Sequence, residues 1–348
     1  MFDRLKSILS KVDADYADIR YEIKKDTKIV FNGKELTEID SNSTDGYVLR
    51  VLKNGGLSSV AFTKSMDADD AIKDSIVNAI LISKNIEKPV ELAITDVLED
   101  TFIPNLNEDP REVSIDEKLE ITRKYNNIPL KYDMIVTTNV GYTEIIREKY
   151  FLSTEGSKIR EDLVTTRIRG TITSSDGEIL QNIRVGIGGS NGFAVIRCKE
   201  EEFEKRTSIV LDLLKAKPVD GGIYNVILNP DLAGVFTHEA FGHFSEADII
   251  EDCPSIREKM QIGTKLGNDI VSIIDDATVP DQLGFYKFDD EGVKVRPTQL
   301  MKNGVLVGRL HSRRTAASFG EPLSGHGVAE DYRFPPIIRM GNIFIEPG

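Results

Sequence analysis

The period of the apolar residues changes within the first 25 positions, and that change narrows the folds open to this chain. Phe2, Leu5, Ile8, Leu9 and Val12 recur at helical spacing, whereas Ala17, Ile19, Tyr21 and Ile23 alternate with polar residues. The first pattern is that of an amphipathic helix and the second that of a half-buried strand. Further strand-like runs follow at residues 28–32, 36–39, 47–52 and 57–62. Lys53-Asn54-Gly55-Gly56 separates the last two, and Asn-Gly suits the positive backbone angles of a tight hairpin. A second helix is expected over about 67–83, with Ala68, Ala71, Ile72, Ile76, Ala79 and Ile80 on one side. Asp67, Asp69 and Asp70 stand in its first turn, where the helix dipole favours acids. Residues 1–95 thus read as a helix, an antiparallel sheet and a second helix.

Residues 96–112 are acidic, carry Pro104 and Pro110, and read as a linker. Ser114-Ile115-Asp116-Glu117 has the form of a capping box and opens a helix to about Tyr125. Strands are expected near 134–139, 144–152, 163–172 and 179–185. The glycine-rich run at 186–192 lacks the lysine of a phosphate loop and reads as a flexible connector. A helix near 201–215 closes a second unit, 96–217. The third unit, 218–348, begins with the apolar strand-like run 224–228 and a helix start at Asn229-Pro230, and is strand-rich thereafter. The fold class is therefore α+β: two N-terminal helix–antiparallel-sheet units and a β-rich C-terminal unit.

Charge removes some functions. The 348 residues carry a net charge of −13, which disfavours direct binding of nucleic acid or of anionic membrane surfaces. No run approaches the ~18 consecutive apolar residues of a membrane span. Only Cys198 and Cys253 are present, too few for a disulfide framework, and the N-terminus does not read as a signal peptide, so the cytoplasm is the expected compartment.

All four histidines, His238, His243, His311 and His326, lie in the last third of the chain. The first two belong to His238-Glu239-Ala240-Phe241-Gly242-His243. In the common His-Glu-x-x-His pattern two imidazoles one turn apart bind zinc and the glutamate serves as base. Here the histidines are five apart. At about 100° per residue this step carries His243 about 140° from His238 on a regular α-helix. A π turn, or a kink at Gly242, is needed to bring both rings to one face. Given that distortion, His238 and His243 are expected to be metal ligands, zinc the ion, and Glu239 the general base. Glu246 is placed either to accept an imidazole N–H or to ligate, and Asp248 is a weaker candidate for the same roles. A catalytic site needs a further ligand, for which Cys253, His311 and His326 are candidates.

The motif and several later blocks resemble the TldD subunit of the TldD/PmbA (TldD/TldE) metallopeptidase family. These are His238 to His243 with Glu246 and Asp248, Asp275-Asp276, Gly284 to Gly292 with its Asp289-Asp290-Glu291, Asn303-Gly304, and Arg339-Met340-x-Asn342; Ser153-Thr154-Glu155-Gly156 adds to them. The resemblance implies a cytosolic zinc peptidase subunit that pairs with a paralogous TldE/PmbA-like subunit, or with itself in isolation. The pair would enclose a cavity entered by short or unfolded peptides. It also implies a third ligand from a Cys-Gly-Lys-x-Gly-Gln block near the C-terminus. The chain ends at Gly348 before such a block, so a lost C-terminal segment is expected, with Cys253, Glu246 or a remote histidine as alternatives. A non-catalytic binding or regulatory subunit of the same architecture is the second reading. A DNA-associated role, also linked to the family, is opposed by the charge.

Overall fold

The computed structural model describes residues 1–348. Helix α1 (Phe2–Leu9) precedes three antiparallel strands, β1 (Tyr16–Asn32), β2 (Glu35–Lys53) and β3 (Gly56–Phe62), and then α2 (Ala68–Ser83). The separate short runs of the sequence are two long strands. β1 and β2 stay paired through their polar middles, Asp26 opposite Asn42. Asn54 and Gly55 adopt φ of 52° and 80°, as the expected hairpin turn requires. β4 (Glu99–Phe102) lies within the stretch read as linker, where it adds in parallel to a later strand. Then come α3 (Ile115–Asn126), β5 (Ile135–Ser153), β6 (Lys158–Ser175), β7 (Leu180–Gly189) and α4 (Glu200–Leu213). Ser114 caps α3 by accepting from the Glu117 amide, but the Glu117 carboxylate turns to Arg197 instead of closing the box.

The strands form one seven-stranded sheet in the order β3-β2-β1-β5-β6-β4, with β7 also on β6. The register of β1 against β5, Asp18 opposite Ser153 to Asn32 opposite Asn139, makes the first two units continuous. Most of the run read as a glycine connector is the end of β7. A Cβ on Gly188 would lie 2.6 Å from that of Arg167, so glycine lets β7 close on β6.

Two apolar cores cover one face of this sheet. Leu5, Ile8 and Leu9 of α1 and Ala71, Ile72 and Ala79 of α2 pack on Ile19, Tyr21, Leu49 and Val51. Tyr125 of α3 and Phe203 of α4 pack on Ile29, Val140, Tyr142 and Ile168. α2 sits so close to β3 that a Cβ on Gly56 would stand 1.9 Å from the Ala79 carbonyl oxygen. Gly56→Ala must push the helix outward, and a loss of about 1–3 kcal/mol in urea unfolding is the expected result.

The opposite face of β1 and β5 is buried too, and it is charged. Asp18, Arg20, Glu22 and Lys149 are each 6% exposed or less. The third unit covers them. It contains α5 (Pro230–Thr237), α6 (Ala247–Glu251), α7 (Pro254–Lys259), β8 (Ile273–Asp275), β9 (Thr298–Lys302), β10 (Val305–Leu306), α8 (Arg313–Phe319), β11 (Gly327–Val328), β12 (Ile337–Ile338) and β13 (Ile343–Ile345). Its main sheet is antiparallel, ordered β10-β9-β8-β13, and its strands are short. Residues 224–228 form no strand and are exposed throughout. Their apolar character alone produced the strand reading, and no neighbouring strand pairs with them.

The candidate metal centre

Asn229 starts α5, its Oδ1 accepting from the Leu232 amide at 2.9 Å, and Pro230 takes the first helical position. From His238 to Gly242 the helix widens into a π turn in which the His243 amide donates to the His238 carbonyl. A 3₁₀ turn, His243–Ser245, follows. The residue added by the π turn cancels the misalignment of a five-residue step. The two imidazoles therefore meet, with ring centroids 4.8 Å apart and planes at 81°. Glu239 stands beside them, its Oε2 3.9 Å from His243 Nε2.

One donor atom from each of His238, Glu239 and His243 falls within 4.8 Å of the others. Donors around a tetrahedral zinc with ~2.1 Å bonds are roughly 3.4 Å apart. Rotation of the two imidazoles, on partly exposed residues, covers that difference, and two neutral imidazoles are a donor set that suits zinc. The centre opens on a cleft of about 800 Å³ that also meets Gln282 and Phe344.

The turn is held from below. Phe241 enters the core formed with Leu300, Leu306, Leu310 and Ile338. Gly242 lies directly under Met340, where a Cβ would stand 2.3 Å from its Sδ. Glycine is thus needed here for close approach, since its φ of −59° suits any residue.

Glu246 is fully buried, and its Oε2 is 3.0 Å from His243 Nδ1. The bond assigns the proton to Nδ1 and leaves the Nε2 lone pair free. Burial pushes the Glu246 carboxyl above its usual range, while the contact with His243 and the charge of Arg339, 3.8 Å away, pull it down. Glu246 orients a ring and does not itself join the donor group. Removing such a partner weakens metal affinity about 10- to 100-fold. Chelator competition on Glu246→Gln is expected to show a loss in that range with His238 and His243 intact.

The other candidates lie elsewhere. Cys253 stands at the start of α7, its Sγ 3.5 Å from the Ser255 hydroxyl, and is absent from the donor group. Asp248 accepts from the Ile249 and Ile338 amides. His311 is buried between Thr315 and Glu321, at 3.1 and 3.0 Å. His326 is buried with its Nε2 2.9 Å from Asp275, and its Nδ1 has no partner. Both rings are thus committed within the third unit.

What the motif did not announce is the segment that seats against it. Both carboxylate oxygens of Asp275 accept from the Gly341 amide, at 3.1 and 3.0 Å. Asn342 bridges the Asp276 carbonyl and the Gly284 amide. The blocks at Asp275-Asp276 and Arg339 to Asn342 therefore fix the strand entry that packs on Gly242.

The chain is similar to known metalloproteases. A metalloprotease of Synechocystis is 33% identical over 337 residues, covering 96% of this chain and 72% of its own. A Methanocaldococcus jannaschii metalloprotease is 34% identical over 344 residues, covering 96% and 74%. Family models described as PmbA/TldA metallopeptidase domain 1, central domain and C-terminal domain match residues 17–83, 108–217 and 221–348. The chain belongs to the PmbA/TldD metallopeptidase family. A Saccharolobus solfataricus relative named as a zinc metalloprotease TldD homolog is 26% identical, covering the whole of this chain and 76% of its own. The PmbA/TldD fold is also seen in TldE from Thermococcus kodakarensis, at TM-score 0.75 and 19% identity, covering 100% of this chain and 78% of that one. A Thermotoga maritima structure described as a modulator of DNA gyrase gives TM-score 0.81 at 18% identity, covering 100% and 77%. No helix is long and apolar enough to cross a membrane.

Proposed function

We propose that the chain is a zinc-dependent peptidase subunit that cleaves short or unfolded peptides. The observation that carries this reading is the π turn that gathers His238, Glu239 and His243. His238 and His243 hold the ion through ring nitrogens, and Glu246 keeps His243 in the required tautomer. Zinc bound there supplies Lewis acidity to the scissile carbonyl and to the attacking water. Glu239, two-thirds exposed on the cleft side, takes the proton of that water on its carboxylate. The same carboxylate then delivers the proton to the departing amine nitrogen. The covering third unit, residues 218–348, carries all of these groups, with 1–95 and 96–217 as its support.

The fold likeness to TldE supports pairing with a TldE/PmbA-like subunit, or with a second copy in isolation, and the two unpaired cysteines are consistent with the cytoplasm. One observation favours a second reading, a non-catalytic binding subunit: the donor group holds two imidazoles and no cysteine. Metal analysis of the purified chain, with peptide cleavage assayed in the presence of its paralogue, separates the two. Stoichiometric zinc with cleavage supports the peptidase. Absence of both would leave the binding subunit.

A further inference from the structure

Three arginines on the large sheet stand without a counter-charge, and they lead to the metal centre. Arg167 and Arg169 lie two apart on β6, and Arg184 lies on β7 opposite Thr171. Alternation along the strands puts Ile168, Ile172 and Val185 into the cores and these three arginines on the other face. The residues paired with Arg167 are Thr143 and Gly188, and those paired with Arg169 are Gly141 and Gly186, so no acid faces either one from a neighbouring strand. Arg160 holds Asp162 at 2.8 Å and Arg197 holds Glu117 at 2.5 Å, whereas Arg167, Arg169 and Arg184 hold no carboxylate. Arg167 is only partly exposed, and burial, then the like charge of Arg169, pull its guanidinium below the usual value. In a chain of net charge −13, this row of cations is an arrangement that a bound anion would relieve.

The row opens on the metal cleft. Arg184 lines that cleft together with His238 and Glu239, and no other arginine or lysine stands in its wall. The one carboxylate in the wall is Glu239, whose ion-pair neighbour is His243. The far end of the row meets the third unit: the Ser190 amide donates to the Asp281 carbonyl at 3.1 Å, one residue before Gln282 of the cleft wall. A peptide in the cleft offers one anion whatever its sequence, its C-terminal carboxylate, and a guanidinium matches that group with two parallel hydrogen bonds. Each step of two residues along a strand adds about 6.7 Å, so Arg169 and Arg167 extend the row to carboxyl ends that lie further from the ion.

We propose that Arg184, with Arg169 and Arg167 beyond it, anchors short peptides by their C-terminal carboxylate. The anchor reads the end of the chain and none of its side chains, and it gives residues 96–217 a part in binding. The assignment of the occupant rests on the peptidase reading above. The chain contains no tryptophan, so the fluorescence anisotropy of a tryptophan peptide reports that peptide alone. The test titrates the zinc-loaded full chain carrying Glu239→Gln into Ac-Trp-Ala-Ala-Ala-Ala with a free carboxyl end, into the same peptide closed as an amide, and into an amide whose last residue is Glu. The free acid is expected to bind at least ~10-fold more tightly than either amide. Arg184 is exposed, so folding is not at stake, and Arg184→Gln should bring the acid down to the affinity of the amide. Equal affinity for acid and amide, a glutamate amide that binds as the acid does, no binding of any peptide, or an unchanged preference in Arg184→Gln overturns the anchor. Cleavage by the unmutated chain is read separately. Preference for the acid without cleavage retains the anchor and removes the peptidase; cleavage of acid and amide at one rate does the reverse.

Discussion

Glu239→Gln is expected to lower peptide hydrolysis by about 10²- to 10⁴-fold, the range general-base catalysis supplies, with zinc content unchanged. The substitution keeps the shape of the side chain and removes its ability to take a proton. Glu239 lies on the exposed side of the turn, with its Oε2 3.9 Å from His243 Nε2 and no other ion pair, so the fold does not depend on it. Metal content by atomic emission and cleavage of a quenched fluorescent peptide, measured on one preparation, give the two readouts. His243→Ala is the counterpart, in which both readouts should fall together, because the ring that Glu246 orients and that offers Nε2 is gone. Full activity in Glu239→Gln would remove the assigned base; zinc lost from Glu239→Gln would make that residue a ligand instead.

The centre was legible in the sequence because one geometric conflict was visible there. Two histidines five apart cannot converge on a regular helix, so either the motif was meaningless or the helix was distorted. The π turn resolves that conflict, and Gly242 is needed for the close passage of Met340, since the turn gives it a φ that any residue adopts. Helices α1 to α4 and most strands of the large sheet were legible for a simpler reason, since periodicity reports one apolar face. The same rule misled where both faces are buried. Asp18, Arg20 and Glu22 alternate with apolar residues and read as solvent-facing, yet their face is covered: Arg20 meets Asp290 and Glu22 meets Arg147, each more than 100 positions away, and Asp18 meets Arg50, which Glu291 also takes. β4 was read as linker because its acids and nearby prolines hide a four-residue strand that depends on β6 for its pairing. The run 224–228 errs the other way, with strand-like composition and no partner.

Asp290→Asn is expected to cost about 3–5 kcal/mol at neutral pH, the range for removing one partner of a buried ion pair. Asp290 stands within the turn from Asp289 to Gly292, against the charged side of the large sheet. Its Oδ1 is 3.3 Å from Arg20 and 3.4 Å from Lys149, and its Oδ2 accepts from the Ala329 amide at 2.8 Å. Next to it Glu291 takes Arg50 at 2.5 Å and the Arg313 amide at 2.6 Å, while Asp289 accepts the Glu291, Val293 and Gly327 amides. Asparagine keeps the size and one acceptor but leaves Arg20 and Lys149 buried without the charge between them. The pH dependence distinguishes this cause from a packing defect. Burial alone would raise the Asp290 carboxyl, but Arg20, Lys149 and Arg147 together hold it well below the usual carboxylate range. A group depressed in the folded state stabilises fully above its unfolded pKa, about 3.9, and loses that contribution as pH falls towards the folded value. Asp331, drawn down to about 2 chiefly by its bond to Arg333, adds to the same acid limb in both proteins. Asp289 has the opposite sign, since burial and then Glu291 push it up. It too is present in both proteins. Urea unfolding of the two chains from pH 7 downwards should therefore show a gap that is constant above about pH 4 and narrows below it. A gap independent of pH would assign the loss to packing, and would leave the acids of the Gly284 to Gly292 block without the docking role that their buried partners give them.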